Sequence, residues 1–216
     1  MAMIKSALEL ALERTKNLKV DEAALEAARI KTEGRKTAGK FLDEPEATDI
    51  AAAVLAVADS GRERFRKALF EVLAAQIQLP GAFFDEDKLA TIGAGMGKLA
   101  ETGAAKGTAG AAELQSMVQQ IASFLKKYQE EVKRVEQAIR NQWAPRFKEK
   151  ERQMAARMGQ DVRLDPMADP EFAAFYKQNV EALRKNYADA LERAKVELAA
   201  LCGIEQDGGD EAGGER

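Results

Sequence analysis

The sequence contains no histidine and a single cysteine, Cys202, in 216 residues. Without histidine the chain lacks the commonest general acid–base near neutral pH, the commonest transition-metal ligand and the Ser–His and Cys–His nucleophile pairs. A lone cysteine makes no internal disulfide, so the expected setting is cytoplasmic. No apolar run approaches the roughly 18 residues that cross a bilayer. The opening MAMIKSALELALERTK lacks the contiguous apolar stretch and small-residue cleavage site of a secretory signal. Aromatic residues make up only 6% of the chain, which argues against a sheet-rich core. The formal net charge of −3 is too small for bulk attraction to nucleic acid or anionic lipid; any such binding requires a local patch.

What is plentiful is Ala, Leu, Glu, Lys, Gln and Arg, the composition of long helices. An all-α fold is predicted. Its clearest element lies between Leu114 and Ile139, where apolar residues recur at alternating spacings of four and three: Leu114, Val118, Ile121, Leu125, Tyr128, Val132, Val135 and Ile139. A mean spacing of about 3.5 keeps one narrow stripe facing a partner helix over many turns, the pattern of a coiled-coil seam. A second amphipathic run carries Phe172, Tyr176, Val180, Leu183, Tyr187, Leu191, Ala194, Leu198 and Leu201, and Gly203 ends it. Joined by the connector from Gly159 to Pro170, the two helices predict an antiparallel coiled-coil hairpin. Zipped from the connector, the register sets Ile139 near Tyr187, Val132 near Ala194 and Leu125 near Leu201. The turns from Leu114 to Ile121 then overhang and need cover from elsewhere. Pro145 should interrupt the first of these helices, because it removes a backbone hydrogen bond and crowds the carbonyl four residues back.

Before the hairpin the chain reads as medium helices. Ile4, Ala7, Leu8, Ala11 and Leu12 form one stripe; Asp21 caps a second helix that Pro45 stops; a third covers Glu46 to Ala58. Ser60 and Glu63 have the spacing of a capping box, and Asp85 is a further cap. Thr102 to Gly110 has no large apolar side chain and reads as a linker. The expected organisation is therefore a small N-terminal helical domain over 1–101, a Gly/Ala linker over 102–110, the hairpin over 111–203 and an acidic Gly-rich tail over 204–216.

Four groups of residues invite a functional reading. Gly93, Gly95 and Gly97, followed by Lys98, superficially suggest a phosphate loop. The spacing fits neither a Walker loop nor a dinucleotide fingerprint, and a close helix crossing explains it better. At the connector end, Arg140, Arg146, Lys148, Lys150, Arg152, Arg157 and Arg163 surround Trp143 and Phe147, a mixture that can grip phosphate while rings stack on bases. The competing explanation places Trp143 and Phe147, four residues apart, in one buried stripe. Arg62, Arg64, Arg66 and Lys67 form a cationic face on a helix, with Arg35, Lys36 and Lys40 as neighbours. Asp85, Glu86 and Asp87 suit an N-cap and first helical turn better than a metal site.

No catalytic, cofactor-binding or metal-binding grouping emerges. The sequence predicts a non-enzymatic helical adaptor or structural protein, acting through coiled-coil self-association or docking to a larger assembly. The coiled-coil interface residues would be Leu114 to Ile139 as named above, with Val180, Leu183, Tyr187, Leu191, Leu198 and Leu201 opposite. The alternative is binding of nucleic acid or an acidic surface by the basic, aromatic segment from Arg140 to Arg163.

Overall fold

The computed structural model describes residues 22–103, 108–160 and 163–205. The stripe from Ile4 to Leu12, the Asp21 cap, residues 104–107 of the linker, Asp161 with Val162, and the tail past Glu205 lie outside the described residues. The fold is all-α. Among the described residues there are six α-helices and no strand: α1 Glu22–Asp43, α2 Ile50–Leu55, α3 Asp59–Ala75, α4 Glu86–Glu101, α5 Thr108–Met158 and α6 Pro170–Leu201, with a short 3-10 turn at Pro166–Ala168 before the last.

Local chemistry sets most boundaries. Asp49 accepts from the Ala52 N–H at 3.1 Å and so starts α2 later than the expected Glu46. Asp85 caps α4 by accepting from the Lys88 N–H at 2.9 Å. Asp169 caps α6 by accepting from Glu171 and Phe172, with Pro170 in the first turn where no N–H is needed. Gly203, with φ +65°, follows the Cys202 C-cap and ends α6. The capping box at Ser60 does not form. Helix α3 begins at Asp59, so its N-cap is Ala58, which has no side-chain acceptor, and Ser60 falls inside the first turn; the Glu63 carboxylate is held by Arg66 Nη1, 2.8 Å from both oxygens.

A continuous apolar core joins the first helices to the hairpin. Phe41 of α1, Ile50 and Val54 of α2, Leu69 and Leu73 of α3, and Ile92, Met96 and Leu99 of α4 pack into one cluster with Leu114, Ile121 and Leu125 of α5 and Leu191 and Leu198 of α6. The expected linker therefore falls between elements that share one core, and α5 begins at Thr108. Beyond that head a second cluster forms between α5, the connector and α6: Ile139, Trp143 and Phe147 against Phe172, with Val135, Leu164, Phe175 and Tyr176 around them.

Helices α5 and α6 run antiparallel in a register displaced by about three turns from the one expected. Tyr187 lies against Phe124 and Tyr128, with ring centroids 4.8 and 5.1 Å apart, rather than beside Ile139. Trp143 meets Phe172 at 5.6 Å. The cause is the connector. It folds back along α5, where the Glu151 carboxylate accepts from the Leu164 N–H and Lys150 pairs with Asp169, so pairing of the two helices starts near Phe147 and not at Met158. The same displacement covers the other end. Leu114 and Ile121 are buried in the head and do not overhang. Nor does Pro145 interrupt α5, which continues through it, with the Trp143 and Phe147 rings packed together in one cluster.

Candidate interaction surfaces

Every residue of the α5 stripe faces inward. Leu114, Ile121, Leu125, Tyr128 and Ile139 are buried, and Val118, Val132 and Val135 are half-buried. Opposite them Leu191 and Leu198 are buried, while Val180, Leu183, Tyr187 and Leu201 are half-buried. These side chains are engaged within the chain, with α4 adding the cover over Val118.

That cover explains the glycines before Lys98. A Cβ on Gly93 would fall 2.9 Å from Val118 Cγ1, and one on Gly95 would fall 2.6 Å from Phe41 Cε1. Each allows a helix to approach closer than a side chain permits. Gly97 has open space around it, and Lys98 lies over the Phe41 ring at 5.4 Å. The glycines therefore hold α4 against α5 and α1.

The cationic face of α3 is divided by packing. Arg64 is exposed, whereas Arg62 pairs with Asp59 at 2.7 Å and donates to the Val57 carbonyl. Arg66 does not lie on a cationic face at all, being 1% exposed. Its Nη2 donates to the carbonyl of Cys202 at 2.5 Å and its Nη1 to that of Gly203 at 3.5 Å, at the C-terminal end of α6 where the helix dipole is negative. Gly103, just after α4, supplies the room: a Cβ there would sit 2.4 Å from Nη2. Nearby, Arg35 reaches Glu71 and Lys36 reaches Glu33. Cys202 is buried, its thiol donating to the Met96 carbonyl, and burial pushes its pKa up to about 12 against a smaller opposing pull from Arg66. A thiol so held is inert.

At the far end of the arm, Trp143 and Phe147 are buried against Phe172, so neither ring is free to stack on a base. Arg146 lies 4.8 Å over Trp143, Lys150 pairs with Asp169, and Arg152 pairs with Glu149 at 3.1 Å. The Lys150 ammonium, with the Phe172 and Glu171 N–H groups, holds the Asp169 carboxyl below its usual range. Arg140, Lys148, Arg157 and Arg163 make no ion pair among the described residues and are exposed. Of Asp85, Glu86 and Asp87, the first is the cap and the second pairs with Lys126 of α5 at 2.7 Å.

One surface escapes the sequence patterns. Past Phe147, α5 continues two to three turns beyond its pairing with α6 and carries Met154 and Met158, with Met167 in the 3-10 turn nearby. These three are 36%, 58% and 54% exposed, and a cleft of about 330 Å³ opens between α5 and the returning connector. Two methionines spaced i, i+4 were the only sign of it in the sequence. Their exposure depends on the register.

Among the described residues, no helix is long and apolar enough to cross a membrane. A family model described as a family of unknown function (DUF6657) matches residues 51–200. No curated protein and no solved structure matches the chain.

Proposed function

We propose, for a chain that belongs to this family of unknown function from α2 to the last turn of α6, a non-enzymatic role as a helical adaptor or structural protein that docks to a larger assembly through its two-helix arm. The observation that supports this reading is the arm itself. The head core ends at Leu125 and Leu191, yet α5, 51 residues and about 75 Å long, continues with α6 as a pair that has its own aromatic cluster. A two-helix projection buries less surface per residue than a bundle, and reach is what it adds. Because the Leu114–Ile139 stripe is already engaged inside the chain, docking by the arm is favoured over self-association by exchange of the stripe. The lone cysteine and the charged helix faces fit a cytoplasmic setting for this role.

Crosslinking in the native cell with an amine-reactive reagent, followed by capture of the intact chain and mass spectrometry, tests the reading. Crosslinks to another protein should concentrate on arm lysines such as Lys148, Lys150 and Lys177. Crosslinks confined to head lysines such as Lys31 and Lys36, or none to any protein, would overturn it.

A further inference from the structure

We infer that the cleft at the arm tip, between the last turns of α5 and the connector, receives an acidic amphipathic segment of a partner protein, seating an apolar side chain against Met154, Phe147 and Leu164. The inference rests on the docking role proposed above and names its site and the partner's chemistry.

The apolar part of the surface is an outcome of the fold. Because the connector folds back to Lys150 and Glu151, the final turns of α5 have no helix opposite them. Met154 lines the cleft with Phe147 and Leu164, and Met158 follows Met154 by one helical turn. Methionine is unbranched and polarizable and adapts to varied apolar partners, a property of surfaces that receive helices. A cleft of about 330 Å³ accommodates one or two apolar side chains.

The partner's charge follows from how the local acids are spent. Asp165 accepts from the Met167 N–H at 3.0 Å, Asp169 caps α6 and pairs with Lys150, and Glu151 accepts from the Leu164 N–H at 2.9 Å. All three carboxylates thus serve backbone N–H groups of the connector or of the first turn of α6. Around the same cleft Arg157, which lines it, and the exposed Lys148 and Arg163 have no ion pair among the described residues. Among the described residues the unmatched charge presented to a partner is positive, and carboxylates flanking an apolar anchor complement it. A purely polyanionic ligand leaves the methionines unused, and the buried Trp143 and Phe147 rings offer it no stacking platform.

The test is selection of a displayed library of about 16-residue peptides against the intact chain, followed by anisotropy with the selected sequences. Enriched peptides should pair Leu, Ile or Phe at helical spacing with flanking Asp or Glu. Their affinity should fall about tenfold or more with Met154→Asp, fall severalfold with Arg157→Glu and survive Met154→Leu. Unchanged Trp143 emission in each variant shows that the arm remains folded. No enrichment, enrichment of basic or uncharged peptides, or indifference to the tip variants would overturn the inference. So would a dimer in sedimentation velocity that Met154→Asp dissolves, since the occupant would then be a second copy, or tip-dependent flotation with anionic phosphatidylserine vesicles. Arm crosslinks in cells without acidic enrichment would remove this inference and leave the docking role standing. Loss of the arm crosslinks would remove the role itself.

Discussion

Arg66 and Cys202 stand 136 positions apart in the chain, and the guanidinium Nη2 of the first donates to the backbone carbonyl of the second over 2.5 Å. This contact fastens α3 to the C-terminal turn of α6. A buried cation is costly unless its donors are met, and here the carbonyls at the end of α6 meet Nη1 and Nη2 while Glu63 neutralises the charge from the solvent side; Nε is buried without a partner among the described residues.

Removing the guanidinium should therefore loosen the last turn. Arg66→Ala is expected to cost about 2–4 kcal/mol in urea unfolding, since it leaves two carbonyls unmet and a cavity, and Arg66→Met somewhat less because it fills the space. Gly103→Ala should be destabilising in the native background, where its Cβ meets Nη2, and nearly silent when Arg66 is already Ala. A double-mutant cycle reads this directly; additive losses would show that the two residues do not share a site.

The glycines of α4 should separate by what they touch. Gly95→Ala, against the Phe41 ring, and Gly93→Ala, against Val118, are expected to lose about 1–3 kcal/mol. Gly97→Ala, with open space around it, should gain up to about 1 kcal/mol from helix propensity. Thermal melts of the three variants decide it; a uniform gain would rule out the close crossing.

The aromatic cluster of the arm is separate from the head core, so the two ends carry independent reporters. Phe172→Ala should cost about 3–5 kcal/mol locally and shift the emission of Trp143 to the red, while Cys202 stays protected from a thiol reagent. Simultaneous exposure of Trp143 and Cys202 would mean that head and arm unfold as one unit.

Burial pushes Cys202 and Tyr187 up to about 12, with Glu131 adding to the effect on Tyr187. Both native pKa values are raised, so the folded state holds these protons more tightly than the unfolded chain. The stabilisation is complete below the ordinary ranges near 9 and 10 and is lost as pH climbs toward about 12. Stability should decline from about pH 9 upward, and Cys202→Ala should flatten the first part of that decline. An unchanged alkaline limb in the variant would assign the loss elsewhere.

Along the stripe, Leu125 is buried while Val132 is half-buried where the arm leaves the head. Leu125→Ala should therefore cost about 2–5 kcal/mol and Val132→Ala below about 1.5 kcal/mol. Equal losses in chemical denaturation would contradict a head that ends near Leu125.

What the sequence determined by itself is whatever depends on neighbours a few residues away. Composition and apolar spacing fix an all-α chain, because helical periodicity is local, and the inward faces of α5 and α6 follow from the same spacing. Asp85 was legible as a cap because a cap needs only the N–H groups two or three residues on. The tertiary structure decided what two distant segments settle between them. A repeating stripe is satisfied by several registers, and the connector's bonds from Glu151 to Leu164 and from Lys150 to Asp169 selected one. That choice covered Leu114 and Ile121 and exposed Met154 and Met158 instead. Arg66 shows the same division: on its helix it is one cation among four, and only the arrival of the α6 carboxyl end and the missing side chain of Gly103 make it the buried tie of the fold.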